Sequence, residues 1–483
     1  MIHYYSQLKK KSYRLAFMSI LGLLTWSSCH VTRPYSVPEN KVKDSFRSPT
    51  YSALDSGYVK NIAHDTINIA TVTWCDMFTD TMLQQLITEG LQANIDIKIA
   101  VERITEAQVN VRLKKAAFLP SLEASISANK QQMPAFQSFG YPRNNTQYDM
   151  RLYADWEIDI WDKLGSAKRV ALSQLLATDA AKRAVQTQLI ANIASDYYEL
   201  LALDQQLMII KKTAENRAED AAAIAELFEN AMLNGVAVVQ SKANYYEAEL
   251  DVPDIEQKIK ETENRLSFLV GRHPGAILRQ SLMKQQVNYD LNPGIPAQLL
   301  AHRPDVQMAE FNFRSAFEET NIARTYFYPA LSITAAGGFS NLGWNQWFSS
   351  ASLFGSIAGG IAQPIFNKGV NKARLSTAQA RQQQALYQFE KSLLVASQEV
   401  SNALFEYDTA IKKMKSRKKQ LEALTQAVAF NKELFLNHQN TNYTDVLTAE
   451  QNLLRAELKN IADQSQKLYA VVQLYRALGG GWD

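Results

Sequence analysis

Tyr148-Asp149-Met150-Arg151-Leu152-Tyr153-Ala154-Asp155-Trp156-Glu157-Ile158-Asp159-Ile160-Trp161 alternates with a period of two. Tyr148, Met150, Leu152, Ala154, Trp156, Ile158 and Ile160 fall on one face. Asp149, Arg151, Tyr153, Asp155, Glu157 and Asp159 fall on the other. Successive side chains of a strand point to opposite faces, so a strand segregates these carboxylates completely, whereas a helix scatters them around its circumference. A soluble strand typically runs about five or six residues, and a tilted bilayer-spanning strand needs about 9–11. The segment therefore reads as a transmembrane strand with a lipid face and a wet face.

A partner precedes it, in which Leu122, Ala124, Ile126 and Ala128 alternate with Glu123, Ser125, Ser127 and Asn129. Between the two lies a polar loop, Gln131 to Gln147, carrying Pro134, Gly140, Pro142, Asn144 and Asn145. The same plan returns more weakly. Leu331, Ile333, Ala335, Gly337 and Phe339 form one apolar row, and Leu353, Gly355, Ile357, Gly359 and Ile361 form another, with a loop near Asn341 to Trp347. Four strands per chain cannot close a barrel, and an open edge in lipid costs several kcal/mol per unsatisfied backbone group. Known bacterial barrels begin at about eight strands. Two chains would supply eight and three would supply twelve. The rival structure is a soluble four-stranded sheet capping a helical bundle.

The recurrence extends along most of the chain. Phe118-Leu119-Pro120-Ser121-Leu122 returns as Phe327-Tyr328-Pro329-Ala330-Leu331, and Ile160-Trp161-Asp162-Lys163 as Ile365-Phe366-Asn367-Lys368. Glu226-Leu227-Phe228 returns as Glu433-Leu434-Phe435, and Asp96, Ala100 and Ala107 align with Asp305, Ala309 and Ala316. A repeat this long is a duplicated domain-sized unit rather than a solenoid. The expected organisation is a leader over 1–28, an extended arm over 29–73, a first repeat over 74–290 with its hairpin near 121–161, and a second over 291–483 with its hairpin near 330–364. Ser166–Asn234 and Val370–Leu478 contain neither Gly nor Pro and are rich in helix formers. About 65 helical residues reach roughly 100 Å, so an elongated object is expected. Pro253 should interrupt the helix that contains it.

Lys9, Lys10, Lys11 and Arg14 precede the apolar run Leu15 to Trp26, and Ser27-Ser28-Cys29 follows. That is a secretory leader, too short for a comfortable span. Its ending fits either a lipoprotein signal acylated at Cys29 or an ordinary signal peptide. Cys75 is the only other cysteine, so acylation of Cys29 would leave no intrachain disulfide, and Cys75 is expected to be buried. The formal charge of +3 gives no basic footprint for nucleic acid.

The chain resembles the outer-membrane factors of bacterial tripartite efflux and type I secretion systems, the TolC-like proteins, and within them the lipid-anchored branch serving resistance-nodulation-division (RND) pumps. The resemblance covers nearly all of the mature chain. It rests on Trp74 with Phe78, Phe118-Leu119-Pro120, Trp156-Glu157-Ile158-Asp159, Leu269-Val270-Gly271, and Pro296 to Glu310 including Arg303-Pro304-Asp305-Val306. Gln363-Pro364-Ile365-Phe366 and the tail Leu474 to Trp482 complete it. It implies an α+β membrane protein: a homotrimer with a twelve-stranded transmembrane β-barrel continuous with a long periplasmic α-helical barrel. It also implies localisation in the outer membrane with a lipid anchor at Cys29. The partners would be a periplasmic membrane-fusion adaptor, an inner-membrane RND-type pump and outer-membrane lipid.

By the resemblance, the breaks at Leu233-Asn234-Gly235-Val236 and at Gln439-Asn440-Thr441-Asn442-Tyr443 are periplasmic tips, where the pore closes and the adaptor docks. Asn and Gly suit a left-handed turn there. Asp445 matches a position where the family carries a gating aspartate, and a ring of three would concentrate negative potential. The other reading of Asp445 is a helix cap. Thr448 stands where the family often has a second carboxylate. Tyr443 is a candidate steric plug. Asp149, Arg151, Asp155, Glu157 and Asp159 would line the barrel lumen, with a net negative bias favouring cations. Arg303 and Asp305 are assigned a structural role, with Pro304 and Asp305 opening a helix.

No phosphate loop, dinucleotide fingerprint or nucleophile elbow is present, and the histidines show no metal-ligand spacing, so neither enzyme activity, cofactor nor metal is expected. His273 and His302 read as solvated turn residues. The function expected is a passive exit channel for drugs or other small toxic solutes. The alternatives are a type I protein-secretion channel and a periplasmic structural or adaptor lipoprotein.

Overall fold

The computed structural model describes residues 31–38, 73–132, 134, 143–230, 232–285, 303–437 and 442–481. The leader, Cys29, most of the arm, His302, residues 438–441 and Trp482 lie outside them. The element order is α1 (Trp74–Met77), α2 (Thr81–Ala93), α3 (Ile95–Ala116), β1 (Ser121–Gln132), β2 (Asn144–Ile158), α4 (Lys163–Glu229) and α5 (Gly235–Leu269). It continues with α6 (Pro304–Thr325), β3 (Ala330–Asn341), β4 (Leu353–Ala362), α7 (Val370–Leu436) and α8 (Tyr443–Ala477).

Element lengths repeat between the halves. α3 and α6 have 22 residues each, β1 and β3 have 12, α4 and α7 have 67, and α5 and α8 have 35. The compact units do not follow the repeats. One comprises Met1–Pro38, Ala107–Gln174 and Asn312–Ala385; the other comprises Glu39–Glu106, Leu175–Phe311 and Leu386–Asp483. Each unit therefore draws segments from both repeats.

The first unit holds an antiparallel sheet in the order β1-β2-β3-β4, leaving β1 and β4 as free edges. β2 stops at Ile158, short of the expected Trp161. The cause is local: the Asp159 carboxylate turns to accept from the Leu164 and Gly165 amides (3.1 and 2.8 Å), two of the orphan donors at the start of α4. Asp162 then adopts φ 60°, reversing the chain. Arg169 braces this corner between Asp162 and the buried Glu318 of α6, 2.7 and 2.9 Å away. Residues 31–38 pack on the same unit. Arg33 and Asn321 exchange two hydrogen bonds, Thr32 donates to Asp162, and Tyr35 lies beside Phe313 and Phe317.

The second unit is helical. Its core gathers Phe78, Leu83 and Ile87 from α1–α2, Ile190 to Leu201 from α4, Leu266 from α5, Val400 from α7, and Val472 to Tyr475 from α8. Buried Asp80 accepts from Tyr197 Oη at 2.8 Å and from Gln285 Nε2 at 2.7 Å, tying the segment after α5 to this core. Pro253 does not interrupt α5, which runs unbroken from Gly235 to Leu269. Pro253 and Glu249 are both exposed, so the carbonyl that loses its helical donor can be hydrated instead. Cys75 is exposed rather than buried, because α1 has a single turn whose inward side is taken by Met77 and, in part, Trp74. No helix among the described residues is long and apolar enough to cross a membrane.

Arg303 and Asp305 are structural, as their helix-start pattern suggests. Pro304 is the first residue of α6 and Asp305 lies in its first turn. Arg303 is 4% exposed and pairs bidentately with Asp305 (2.9 and 2.7 Å). Its Nη1 donates to the Ala477 carbonyl at the end of α8 (2.8 Å), and its Nη2 lies 2.8 Å from Glu399.

Candidate functional site

Functional residues fall into two sets, one in each unit. In the helical unit they lie where α4 gives way to α5 and α7 to α8. Asn234 has φ −91° and ψ 159°, and Asn442 has φ −105° and ψ 167°. Both are extended N-caps, so the left-handed turn expected at Asn234-Gly235 is not formed there, and Gly235 itself does not take a positive φ. The reason is that the Asn side chain accepts from an amide of the following turn, which requires an extended cap. Asn234 accepts from Ala237 at 3.2 Å.

The second cap is stronger. Asn442 Oδ1 accepts from the Asp445 amide (3.1 Å), and Asp445 Oδ2 accepts from the Asn442 amide (3.2 Å), a reciprocal capping box. Asp445 is thus a cap with an exposed carboxylate. Thr448 is exposed and donates back to the Thr444 carbonyl. Replacing Asn442 with Ala should cost about 1 kcal/mol, and Asn234→Ala no more than that. Hydrogen exchange of the amides at 443–446 should accelerate in the first variant, and equal protection in both proteins would refute the cap assignment.

Tyr443 is the first residue of α8. Its ring is buried within its own chain, with its centroid 6.2 Å from that of Phe435. Burial raises its hydroxyl pKa, aided by the Asp220 charge and opposed by a hydrogen bond with Asn244. Around it is a network spanning all four long helices that the sequence did not reveal. Lys432 of α7 reaches Glu450 of α8 at 2.6 Å and Asp220 of α4 at 3.7 Å. Arg217 of α4 is buried and donates to the Asn244 carbonyl of α5 at 2.8 Å, with Glu247 at 3.5 Å. Burial alone would lower the Lys432 ammonium pKa, but the hydrogen bond and charge of Glu450, with Asp220 behind them, hold it above its usual value. These partners lie far apart in sequence, and no local spacing marks them.

In the other unit, strand register sorts the sheet into two faces. Rungs Ser127–Asp149–Ser340, Ser125–Arg151–Gly338–Phe354, Glu123–Tyr153–Ala336–Ser356, Ser121–Asp155–Thr334–Ala358 and Glu157–Ser332–Gly360 form one face. The alternate rungs carry Leu122, Ile126, Met150, Leu152, Trp156, Ile333, Phe339, Leu353, Ile357 and Ile361. Several of these are exposed to an extent unusual for aliphatic side chains, Ile357 at 79% and Leu122 at 74%. A soluble monomer would not leave such a continuous face bare.

The expected lumen residues do not behave alike. Asp155 is open. Glu157 pairs with Lys163 at 2.8 Å. Asp149 is only 2% exposed and is held by Gln147 (3.1 Å) and Arg151 (2.9 Å). Asp159 lies beyond the strand and caps α4.

The family model for outer membrane efflux proteins matches residues 86–272 and 295–480, well over half of the chain. The solvent efflux pump outer membrane protein SrpC of Pseudomonas putida is 28% identical over 476 residues, covering 96% of this chain and 98% of that protein. The probable outer membrane lipoprotein SilC of Salmonella typhimurium is 25% identical over 478 residues, covering 97% and 99%. A solved membrane protein from Pseudomonas aeruginosa superposes with a TM-score of 0.85 at 25% identity, over 94% of this chain and 98% of that one.

Proposed function

The chain belongs to the outer membrane efflux protein family, and on that premise we propose that it is the outer-membrane exit duct of a tripartite efflux assembly. The observation that carries this reading is the sheet, one face acidic and the other apolar and bare, within a chain that matches efflux channels end to end. Both sheet edges are open, which supports closure of a twelve-stranded barrel by three copies. The likeness to a protein named as an outer membrane lipoprotein supports acylation of Cys29.

The cargo is drugs or other small toxic solutes, and the duct itself is passive. A periplasmic adaptor and an inner-membrane RND-type pump engage the junctions of α4 with α5 and of α7 with α8. There the Lys432–Glu450–Asp220 and Arg217–Glu247 pairs, with the exposed Asp445, hold the resting state. Opening breaks contacts between helices rather than within them.

The test is accumulation of dyes, drugs and metal ions in cells lacking the chain, complemented by wild type, Asp445→Ala or Lys432→Ala. Deletion should raise accumulation several-fold and wild type should restore it. Lys432→Ala should admit large solutes that wild type excludes. Unchanged accumulation across the panel, with a secreted protein missing from the medium instead, would move the assignment to type I secretion.

A further inference from the structure

On the polar face of the sheet, Arg151 is the only cation among the described strand residues, against Glu123, Asp149, Asp155 and Glu157. Its placement is built rather than incidental. Asp149, nearly inaccessible, anchors the guanidinium at 2.9 Å, and Gln147 holds Asp149 while donating to Ser340 on the next strand at 3.2 Å. In the Arg151 rung the neighbour on β3 is Gly338, which offers no side chain. Arg151 therefore reaches across the vacant lane to β4, where its guanidinium carbon lies 5.9 Å from the centre of the Phe354 ring. The arginine side chain remains 47% exposed on that face.

We propose that Arg151, backed by Phe354 and admitted by Gly338, is a selectivity rung: a ring of three guanidinium groups set into an otherwise acidic lumen, which favours anionic groups on passing solutes. The proposal rests on the exit-duct reading, which makes this face the lumen. A fixed cation in a narrow bore raises the local concentration of anions and opposes cations. The aromatic face supports the cation by its quadrupole and fixes the guanidinium plane. Neighbouring rungs on β3 and β4 carry Ala336 with Ser356, Thr334 with Ala358, and Ser332 with Gly360, none of which can do this.

The measurement is the reversal potential of single channels in planar bilayers under a potassium chloride gradient, for wild type, Arg151→Gln, Arg151→Lys and Phe354→Leu. Arg151→Gln should raise the potassium-to-chloride permeability ratio several-fold, because removing the ring of fixed cations lowers local chloride and raises local potassium. Arg151→Lys should stay near wild type, and Phe354→Leu should fall between. A purely structural arginine would leave the ratio of conducting channels unmoved, and an Arg151→Gln ratio equal to wild type would overturn the rung. Should Arg151→Gln fail to insert, Phe354→Leu decides the matter by the same criterion. Inserted Lys432→Ala protein, which lacks the Glu450 and Asp220 contacts that hold the resting state, should conduct, and its carrying no current would instead count against the exit-duct reading.

Discussion

Arg303→Met should lower stability by about 1–3 kcal/mol, the cost of removing a buried, hydrogen-bonded cation whose partners Asp305 and Glu399 keep 40% and 27% of their side chains exposed. One guanidinium closes three parts of the helical unit: Asp305 at the start of α6, Glu399 within α7, and the Ala477 carbonyl at the end of α8. Methionine fills much of the volume but leaves that carbonyl without its donor, and leaves Glu399 relying on Arg476, 3.1 Å away. Lysine should recover little, because a point ammonium cannot serve a bidentate carboxylate and a carbonyl together. Gly479 (φ 80°) makes the fit tighter still, since a Cβ there would sit 2.9 Å from the Arg303 Cα.

The expected readout is a fall in the unfolding temperature of the purified protein and loss of oligomer on mild gels. Unchanged values in both would show that the cluster is not structural. The cluster also predicts acid sensitivity. Burial would raise the Asp305 carboxyl pKa, but hydrogen bonding and charge from Arg303 and the nearby backbone amides hold it below its ordinary value. A carboxylate depressed in the folded state stabilises fully above its unfolded pKa of about 3.9, and that contribution disappears as pH falls through the lower folded value. Asp305→Asn should therefore be the weaker protein at pH 7, and the gap to wild type should close below about pH 4.

Gly338→Val is the second large effect. A Cβ at Gly338 would overlap the carbonyl oxygen of Met150 and press on the Arg151 Cα at 3.0 Å, so β2 and β3 could not keep their register. Backbone cannot step aside as a flexible side chain can, and the cost should exceed the roughly 1–3 kcal/mol of ordinary overpacking. The variant should be missing from the outer-membrane fraction and should fail to restore export. Gly355→Ala and Gly360→Ala are the controls, because a Cβ at either meets nothing within 4 Å. Normal assembly of Gly338→Val would mean that the β2–β3 pairing is looser than its register implies.

Both strand faces are legible in the sequence because alternation is local: each residue carries its own vote. The 67-residue helices are legible for the same reason, since α7 lacks Gly and Pro altogether and α4 has only Gly165, in its first turn. The end of β2 is not, because Asp159 continues the alternating pattern while its carboxylate serves the next helix. Nor is the direction of Tyr443, since its burial depends on helices more than 190 residues earlier in the chain, where Asp220 and Asn244 lie. Asp445 is readable as a cap from Asn442 three residues before it. The Lys432 and Arg217 pairs join residues with no common local pattern, so only the assembled fold presents them.

The matched lengths of the two halves, 67 with 67 and 35 with 35, act as a ruler written twice. Deleting one residue from a helix turns everything beyond it by about 100° and shortens it by about 1.5 Å. Such a change in one copy would misalign its buried stripe and leave its twin too long. A one-residue deletion in one half is thus expected to be tolerated better when the equivalent residue of the other half is deleted with it.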